Sequence, residues 1–461
     1  MKDERIKEIV RKQREFFSTG TTKDVNFRIE SLKKLKQAIV ENEAAIFEAL
    51  NKDLGTNHVE AYFTNIFAVL SEIKCMLKHV RKWSRPKTVR TPMSQFPGKS
   101  FLFPEPYGLA LIIAPWNYPF NLLLSPLVGA IAAGNCCVLR PSQYAVHCSE
   151  VSRKIIEKTF PPEYIAVVEG GRDENQLLLD RGFDYVFCTG GAAMGRKIME
   201  TAGKHLSPVT LELGGKNPCI VDKECNIKAS AERIAWGKFL NAGQTCLSAD
   251  HVYVHKDVKE EFVSEVKNNI KKFYGEDPKK SPDFSRLIND KHVEMVKSLL
   301  SCGRIVEGGI VDEKERYISP TVLEEIKQDS KIMKEEVFGP IMPIITFENV
   351  DEVITGINSR PKPLALYVFS KNREFQNKIL SSTSSGGVCI NNLMVHASSE
   401  LLPFGGVGES GMGKYHGKAS FDTFTHYKGV MRKGFSMDSA AVMHPPYSKT
   451  EKILKWVKKF A

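Results

Sequence analysis

The sequence predicts an α/β protein made of two doubly wound parallel-sheet domains and a small β extension. Three observations lead there. From about residue 107, short and almost wholly apolar runs such as Leu109-Ala110-Leu111-Ile112-Ile113 alternate with helical stretches. Parallel strands covered by helices on both faces read this way. After Leu211-Glu212-Leu213-Gly214-Gly215 the alternation begins a second time. The length, 461 residues, leaves room for roughly two to four domains.

Residues from about 2 to 80 read as helical, because Leu32, Leu35, Ile39 and then Ile46 and Leu50 recur at helical spacing among charges. Pro86, Pro92, Pro97 and Pro104 then break helices, and the pieces between them suit an extended excursion. In the first α/β unit the expected strands are Leu109–Ile113, Cys137–Arg140, Ile165–Val168 and Tyr185–Cys188. The expected helices cover about 118–133, 145–159 and Ala192–Lys204. The second unit offers strands at Cys219–Val221, Val252–Val254, Ile341–Phe347 and Ala365–Phe369, and helices at Ala229–Leu240 and Val258–Phe273. A Gly-rich segment from Phe404 to Gly417 closes it.

Hydrophobic residues make up 42% and charged residues 26%, ordinary for a globular protein. The net charge of +11 reads as a solvated basic surface, with affinity for anionic ligands as the alternative. From Tyr427 onward eight Lys/Arg stand against two acidic residues. Within this tail Ile453, Leu454, Trp456, Val457 and Phe460 form an apolar stripe beside lysines. It reads as a terminal helix docked on the protein or on a sister subunit, with membrane-surface binding as the alternative. The ten cysteines show neither a disulfide framework nor zinc spacing, so no metal is expected. Free thiols, a charged N-terminus without an apolar signal core, and the lack of a membrane-length apolar run point to the cytoplasm.

Four segments carry chemistry. Cys246, in Asn241-Ala242-Gly243-Gln244-Thr245-Cys246, lies in a polar turn after a helix, whereas Cys188, Cys219 and Cys389 sit in apolar strands and read as core. Glu212 interrupts the apolar run Val209–Leu213. Buried at a strand end, it becomes a general base with a raised pKa; facing water, it is ordinary strand alternation. Asn117, in Ala114-Pro115-Trp116-Asn117-Tyr118-Pro119, follows a strand at its carboxyl end and can donate to an oxyanion. Thr189-Gly190-Gly191 joins a strand to a helix that contains Gly195. That is either a pyrophosphate site at a helix N-terminus or an ordinary tight turn. The match Gly406-Val407-Gly408-Glu409-Ser410-Gly411 to a dinucleotide fingerprint lacks the strand-turn-helix context, and reads as a loop lining a site.

Taken in order, Pro115-Trp116-Asn117-Tyr118-Pro119, Leu211-Glu212-Leu213-Gly214-Gly215-Lys216, Gly243-Gln244-Thr245-Cys246 and Glu336-Val337-Phe338-Gly339-Pro340 resemble the aldehyde dehydrogenase superfamily. The segment from Pro403 through Gly411-Met412-Gly413 to Tyr415-His416-Gly417 and Ser420-Phe421 resembles its class 3 branch, which includes fatty and aromatic aldehyde dehydrogenases. The resemblance runs from about residue 20 to 430.

It implies NAD(P)-dependent oxidation of aliphatic or aromatic aldehydes to carboxylic acids. Cys246 matches the nucleophile, Asn117 the oxyanion donor and Glu212 the base that hydrolyses the thioester. Glu336 and Phe338 match the nicotinamide-ribose contacts, and Gly190, Gly191 and Gly195 the pyrophosphate turn. The family's Lys-Pro-Ser-Glu at the adenosine ribose is here Arg140-Pro141-Ser142-Gln143. Loss of the carboxylate at Gln143 and gain of a guanidinium at Arg140 imply that NADP is tolerated beside NAD. Tyr118, Trp236, Leu240, Thr245 and Met394 match the substrate funnel.

The implied layout has a Rossmann-like NAD(P)-binding domain at 1–83 and 105–210 and a catalytic domain at 211–419. Segments 84–104 and 420–435 form an oligomerisation extension, and 436–461 a basic tail. The resemblance also implies a homodimer, with a small-molecule aldehyde as the partner, no nucleic acid and no stable membrane anchor. Two alternatives stand: transfer of the thioester to coenzyme A, against which Glu212 argues, and a non-enzymatic basic surface protein, against which the set Asn117, Glu212, Cys246 and Glu336 argues.

Overall fold

Six strands form the first sheet in the spatial order Gly411–Met412, Val209–Glu212, Tyr185–Thr189, Leu109–Ile113, Cys136–Arg140 and Ile165–Val167. All neighbours are parallel except Gly411–Met412. After Leu109–Ile113, the next two parallel strands in the chain lie to one side of it and the following two to the other. The order therefore reverses beside that strand, and a crevice opens at the carboxyl ends, where open α/β sheets bind ligands. Ile113 pairs with Arg140 on one side and Cys188 on the other, and Thr189 pairs with Glu212. This register brings residues 114, 140, 189 and 212 to one edge. The strands are buried on both faces, which is why they read as continuous apolar runs.

This computed structural model describes residues 2–438, 440–451, 454, 455 and 458. The second sheet runs Arg304–Glu307, Thr321–Glu324, Ile341–Phe347, His251–His255, Pro218–Val221, Ala365–Phe369 and Gly387–Ile390, and only Arg304–Glu307 is antiparallel to its neighbour. A third sheet, antiparallel and largely exposed, joins Lys87–Val89, Lys99–Pro106 and Thr425–Arg432. It is the extension expected from the proline-broken segment.

The helical N-terminal region resolves into Lys2–Ser18, Val25–Glu41, Glu43–Leu54 and a long helix from His58 to Trp83. That last helix is interrupted by a π-helical turn at Tyr62–Phe67. The Asp24 side chain caps Val25–Glu41 by accepting from Asn26 N. Elements not expected from the sequence include the helices Arg172–Leu179, Asp290–Lys297, Val350–Asn358 and Arg373–Ser382 and the strand Thr321–Glu324. Thr321–Glu324 is four residues long and wholly buried only because Ile341–Phe347 pairs beside it. In the tail, Ile453, Trp456, Val457 and Phe460 of the expected stripe lie outside the described residues, and Leu454 is exposed. Among the described residues no helix is long and apolar enough to cross a membrane.

Candidate active site

Cys246 follows a turn whose three preceding backbones are left-handed: Asn241 at φ 52°, Ala242 at 51° and Gly243 at 74°. For residues with a Cβ that conformation costs about 1–2 kcal/mol each, so it persists only where its surroundings hold it. They do. Asn241 Nδ2 donates to the carbonyls of Asn117 (3.0 Å) and Gln244 (3.3 Å). Gln244 Nε2 donates to the carbonyls of Asn241 and Arg286, both at 3.0 Å, and its Oε1 accepts from Ile288 N. Asn217 Nδ2 donates to the Cys246 carbonyl (2.7 Å) and the Ser248 carbonyl (3.0 Å). At Gly243 a Cβ would stand 2.2 Å from the Gly339 carbonyl oxygen, so no other residue fits there.

Asn117, buried beyond the strand Leu109–Ile113, donates through Nδ2 to the Gln244 carbonyl at 3.0 Å. One amide hydrogen anchors the nucleophile turn, which leaves the second free for a ligand. Glu212 is 3% exposed and neither carboxylate oxygen has a partner. Burial pushes its pKa well above the carboxylate range. Of the two readings of Glu212 left open by the sequence, the buried one holds. A Cβ on Gly405 would come within 3.1 Å of Glu212 Oε1, so the Gly-rich closing segment lines this site, with a short 3-10 turn and no Rossmann helix after it.

The Cys246 thiol keeps a partial opening to solvent. Burial, and then the carboxylates of Glu336 and Glu212, push it up to about 12. Glu336 accepts from Gly215 N at 3.3 Å. Burial, with the charge of Asp250 behind it, raises Glu336 to about 8. Phe338 has a left-handed backbone, φ 26°. Its carbonyl accepts from His292 Nε2 at 2.8 Å and its ring stands edge-on to Trp116 at 5.3 Å. Asp250 holds this segment by accepting from Val337 N at 2.8 Å while paired with Lys216.

The helix Ala192–His205 begins at Gly191. A Cβ on Gly191 would meet nothing within 4 Å, and on Gly190 nothing closer than 3.8 Å, while the buried Thr189 Oγ1 has no partner. Open space, an orphaned hydroxyl and free helix N–H groups fit a pyrophosphate. Gly195 differs: a Cβ there would strike Leu213 Cδ1 at 2.8 Å, so it serves helix-to-sheet packing. Arg140 does not present a free fork. Its terminal nitrogens donate to the carbonyls of Pro141, Gly170 and Gly171, and the buried Nε alone lacks a partner. Gln143 is exposed, with Oε1 2.6 Å from where a Gly171 Cβ would be.

Of the expected funnel residues, Tyr118 and Thr245 are joined, hydroxyl to hydroxyl, at 2.6 Å. Trp236 is 40% exposed and Leu240 half-buried. Met394, left-handed at φ 60°, lies against Gly237, whose Cβ would be 3.3 Å from Met394 Cε.

A profile of the aldehyde dehydrogenase family matches residues 1–430. The chain belongs to the aldehyde dehydrogenase family. This aldehyde dehydrogenase is 48% identical over 442 residues to the 4,4'-diaponeurosporen-aldehyde dehydrogenase of Staphylococcus aureus, covering 95% of this chain and 96% of that one. It is 42% identical over 442 residues to the rat (Rattus norvegicus) "aldehyde dehydrogenase, dimeric NADP-preferring", covering 96% and 98%. A solved structure described as the substrate-bound state of Staphylococcus aureus AldH superposes with a TM-score of 0.95 at 46% identity, over 98% of this chain and 99% of that one.

Sequence reasoning missed Asn217, the side chain of Asn241 and Asp250 as supports of this aldehyde dehydrogenase's nucleophile turn and of the 336–338 segment. Asn217 follows Gly214-Gly215-Lys216 and precedes the expected strand Cys219–Val221, so its identity as a hydrogen-bonding residue was visible. Its partners Cys246, Ser248 and Ala365 were not.

Proposed function

We propose that this aldehyde dehydrogenase oxidises aliphatic or aromatic aldehydes to carboxylic acids with NAD or NADP, using Cys246 as nucleophile, Asn117 as oxyanion donor and Glu212 as hydrolytic base. One observation carries the reading: the Asn117 amide is bonded to the backbone of the Cys246 turn, while Glu212, which contributes to the electrostatics of the same thiol, is buried without a partner. The relatives' names, one NADP-preferring and dimeric, and a neighbouring structure complexed with NAD+, support the coenzyme pair and a homodimer.

The coenzyme would lie with its pyrophosphate at Gly190 and Gly191, one ribose near Gln143 and Arg140, and the other at Glu336 beside Phe338. When bound it supplies the hydride acceptor for the aldehyde C–H electron pair. The Cys246 thiolate attacks the carbonyl carbon and a C–S bond forms. The Asn117 amide and the Cys246 backbone N–H hold the oxyanion, a term worth about 10²–10³ in rate per donor. After oxidation a thioester remains on Cys246. Glu212 takes a proton from water, the resulting hydroxyl adds to the thioester carbon, and the C–S bond breaks to release the carboxylic acid and the thiolate. A buried, partnerless carboxyl with a raised pKa suits that base role. Tyr118, Trp236, Leu240, Thr245 and Met394 form an apolar approach for the aldehyde chain.

The deciding experiment is a panel of aliphatic and aromatic aldehydes run with NAD and NADP separately. Turnover that requires Cys246 and yields free acid without coenzyme A is expected. No coenzyme reduction with any member, or undiminished turnover by Cys246→Ala, overturns the reading.

A further inference from the structure

The helix His58–Trp83 reaches the nucleophile turn through a carboxylate that no mechanistic step uses. Glu60 Oε1 accepts from Asn241 N at 2.9 Å, the first of the three left-handed residues that lead to Cys246. The same helix is fastened on its other side. Thr64 Oγ1 donates to the Glu60 carbonyl (2.7 Å), and the Thr64 carbonyl accepts from Asn121 Nδ2 (2.9 Å), four residues after Asn117. The π-helical turn Tyr62–Phe67 begins two residues beyond Glu60. Such turns disturb the helical register and recur at functional sites.

We infer that Glu60 is a positioning residue for the reaction: its ionised carboxylate, bonded to the Asn241 N–H, holds the left-handed turn that presents Cys246, so that the reactivity of the thiol follows the charge on Glu60. The inference rests on the reading of Cys246 as nucleophile. Hydrogen bonds to a charged acceptor are about twice as strong as neutral ones, and an alternative turn geometry is close in energy wherever a non-glycine residue is left-handed. Glu336 and Glu212 dominate the charge felt by the thiol, so Glu60 acts through the backbone.

The titratable groups facing Glu60 are Asp283 from the loop before Asp290–Lys297, Tyr118 beside the turn and Tyr274 at the end of Lys259–Tyr274. Burial first, then the charge of Asp283, raises Glu60 to about 7, and the Asn241 N–H opposes that rise. A raised carboxyl is protonated below that pH and ionised above it. The hold on the turn therefore strengthens as pH rises through about 7.

The test is alkylation of Cys246 by iodoacetamide in the full-length protein, read on the Cys246 peptide by mass spectrometry between pH 5.5 and 9. The quantity compared is the ratio of wild-type to Glu60→Gln rates, in which the contributions of Glu336 and Glu212 cancel. It is expected to climb from near one below pH 6 to roughly tenfold above pH 8, the difference between a charged and a neutral acceptor. In an Asp283→Asn background, where Asn57 keeps a partner at the same position, the midpoint moves to lower pH. A ratio that stays flat, whatever its size, overturns the inference. Should Glu60→Gln not fold, Asp283→Asn alone decides: its rate exceeds the wild-type rate in a maximum below pH 7, and a ratio without that maximum overturns the inference. Alkylation needs no turnover. Failure of the nucleophile reading would instead show as retained turnover by Cys246→Ala, so the two failures are distinct.

Discussion

Two turns of the candidate site, Asn241–Cys246 and Thr189–Gly191, are built in opposite ways. The turn Asn241–Cys246 is tied to Asn117, Asn217, Arg286, Ile288 and Glu60, and of its buried side-chain oxygens Asn241 Oδ1 lacks a partner. The turn Thr189–Gly191 has empty space where side chains would be and a buried hydroxyl without a partner. The tied turn carries a group whose position must not drift during bond formation, since misplacement by about 1 Å can cost 10²-fold in rate. The open turn awaits a ligand that must arrive and leave each cycle, and donors that are free in the protein are satisfied when it does. On the proposed reading, rigidity is placed where the protein's own atom reacts, and openness where the coenzyme binds.

Substitutions can break or sharpen that contrast. The largest effect is expected for Cys246→Ala, which removes the tied turn's cargo. Turnover should fall at least ~10⁴-fold, while binding of reduced coenzyme, followed by fluorescence, stays as in the wild type because the open turn is untouched. Loss of both would merge the two regions into one. Next comes Glu212→Gln, expected to slow steady-state turnover by about 10²–10⁴-fold. A burst of about one reduced coenzyme per subunit should remain, visible by stopped flow. Equal steady-state rates in the absence of coenzyme A would remove Glu212 as the base.

Asn117→Ala loses the oxyanion donor and one anchor of the tied turn together. A drop of about 10²–10³ in kcat/KM is expected, with a lowered Tm because the Gln244 carbonyl keeps only the longer bond from Asn241 Nδ2. On the open side, Gly191→Val should raise the coenzyme KM on the order of tenfold by filling the pyrophosphate space and leave Tm unchanged, because nothing lies within 4 Å of the new Cβ. A fall in Tm would mean that the turn is packed after all. The smallest effect belongs to Gln143→Glu. A carboxylate at an exposed position beside the adenosine ribose should shift the NAD-to-NADP preference by only a few-fold toward NAD, since exposed charges interact weakly and the effect shrinks with salt. Parallel kcat/KM values at two ionic strengths measure it.

Much of this was legible in the residues. Ala365–Phe369, buried at every position, ends where its apolar run ends, because strands buried on both faces need every side chain apolar. Cys246 stood out from Cys188 and Cys219 for the same reason: the latter are fully buried core, and Cys246 lies in a polar, glycine-containing turn. Elements such as Thr321–Glu324 and Arg373–Ser382 escaped notice because they are short and carry charge, and their strand or helix state is set by neighbours.

What the chain by itself determined is the periodicity and the chemistry-bearing types: two alternating α/β units, a thiol in a turn, a carboxyl in an apolar run and glycines at a strand-to-helix junction. Only the tertiary structure decided which environment each group meets. Glu212 could equally have faced water; the sheet's register and Gly405 bury it, and burial raises its pKa as the proposed base role requires. Arg140 had every donor needed for a phosphate, yet the carbonyls of Pro141, Gly170 and Gly171 occupy both of its terminal nitrogens. Glu60, one of two carboxyls on the helix His58–Trp83, became a partner of the Asn241 turn 181 residues away. Hydrogen-bonding capacity is a property of a residue, but which atoms satisfy it depends on contacts far apart in the chain, and those exist only once the sheets have packed.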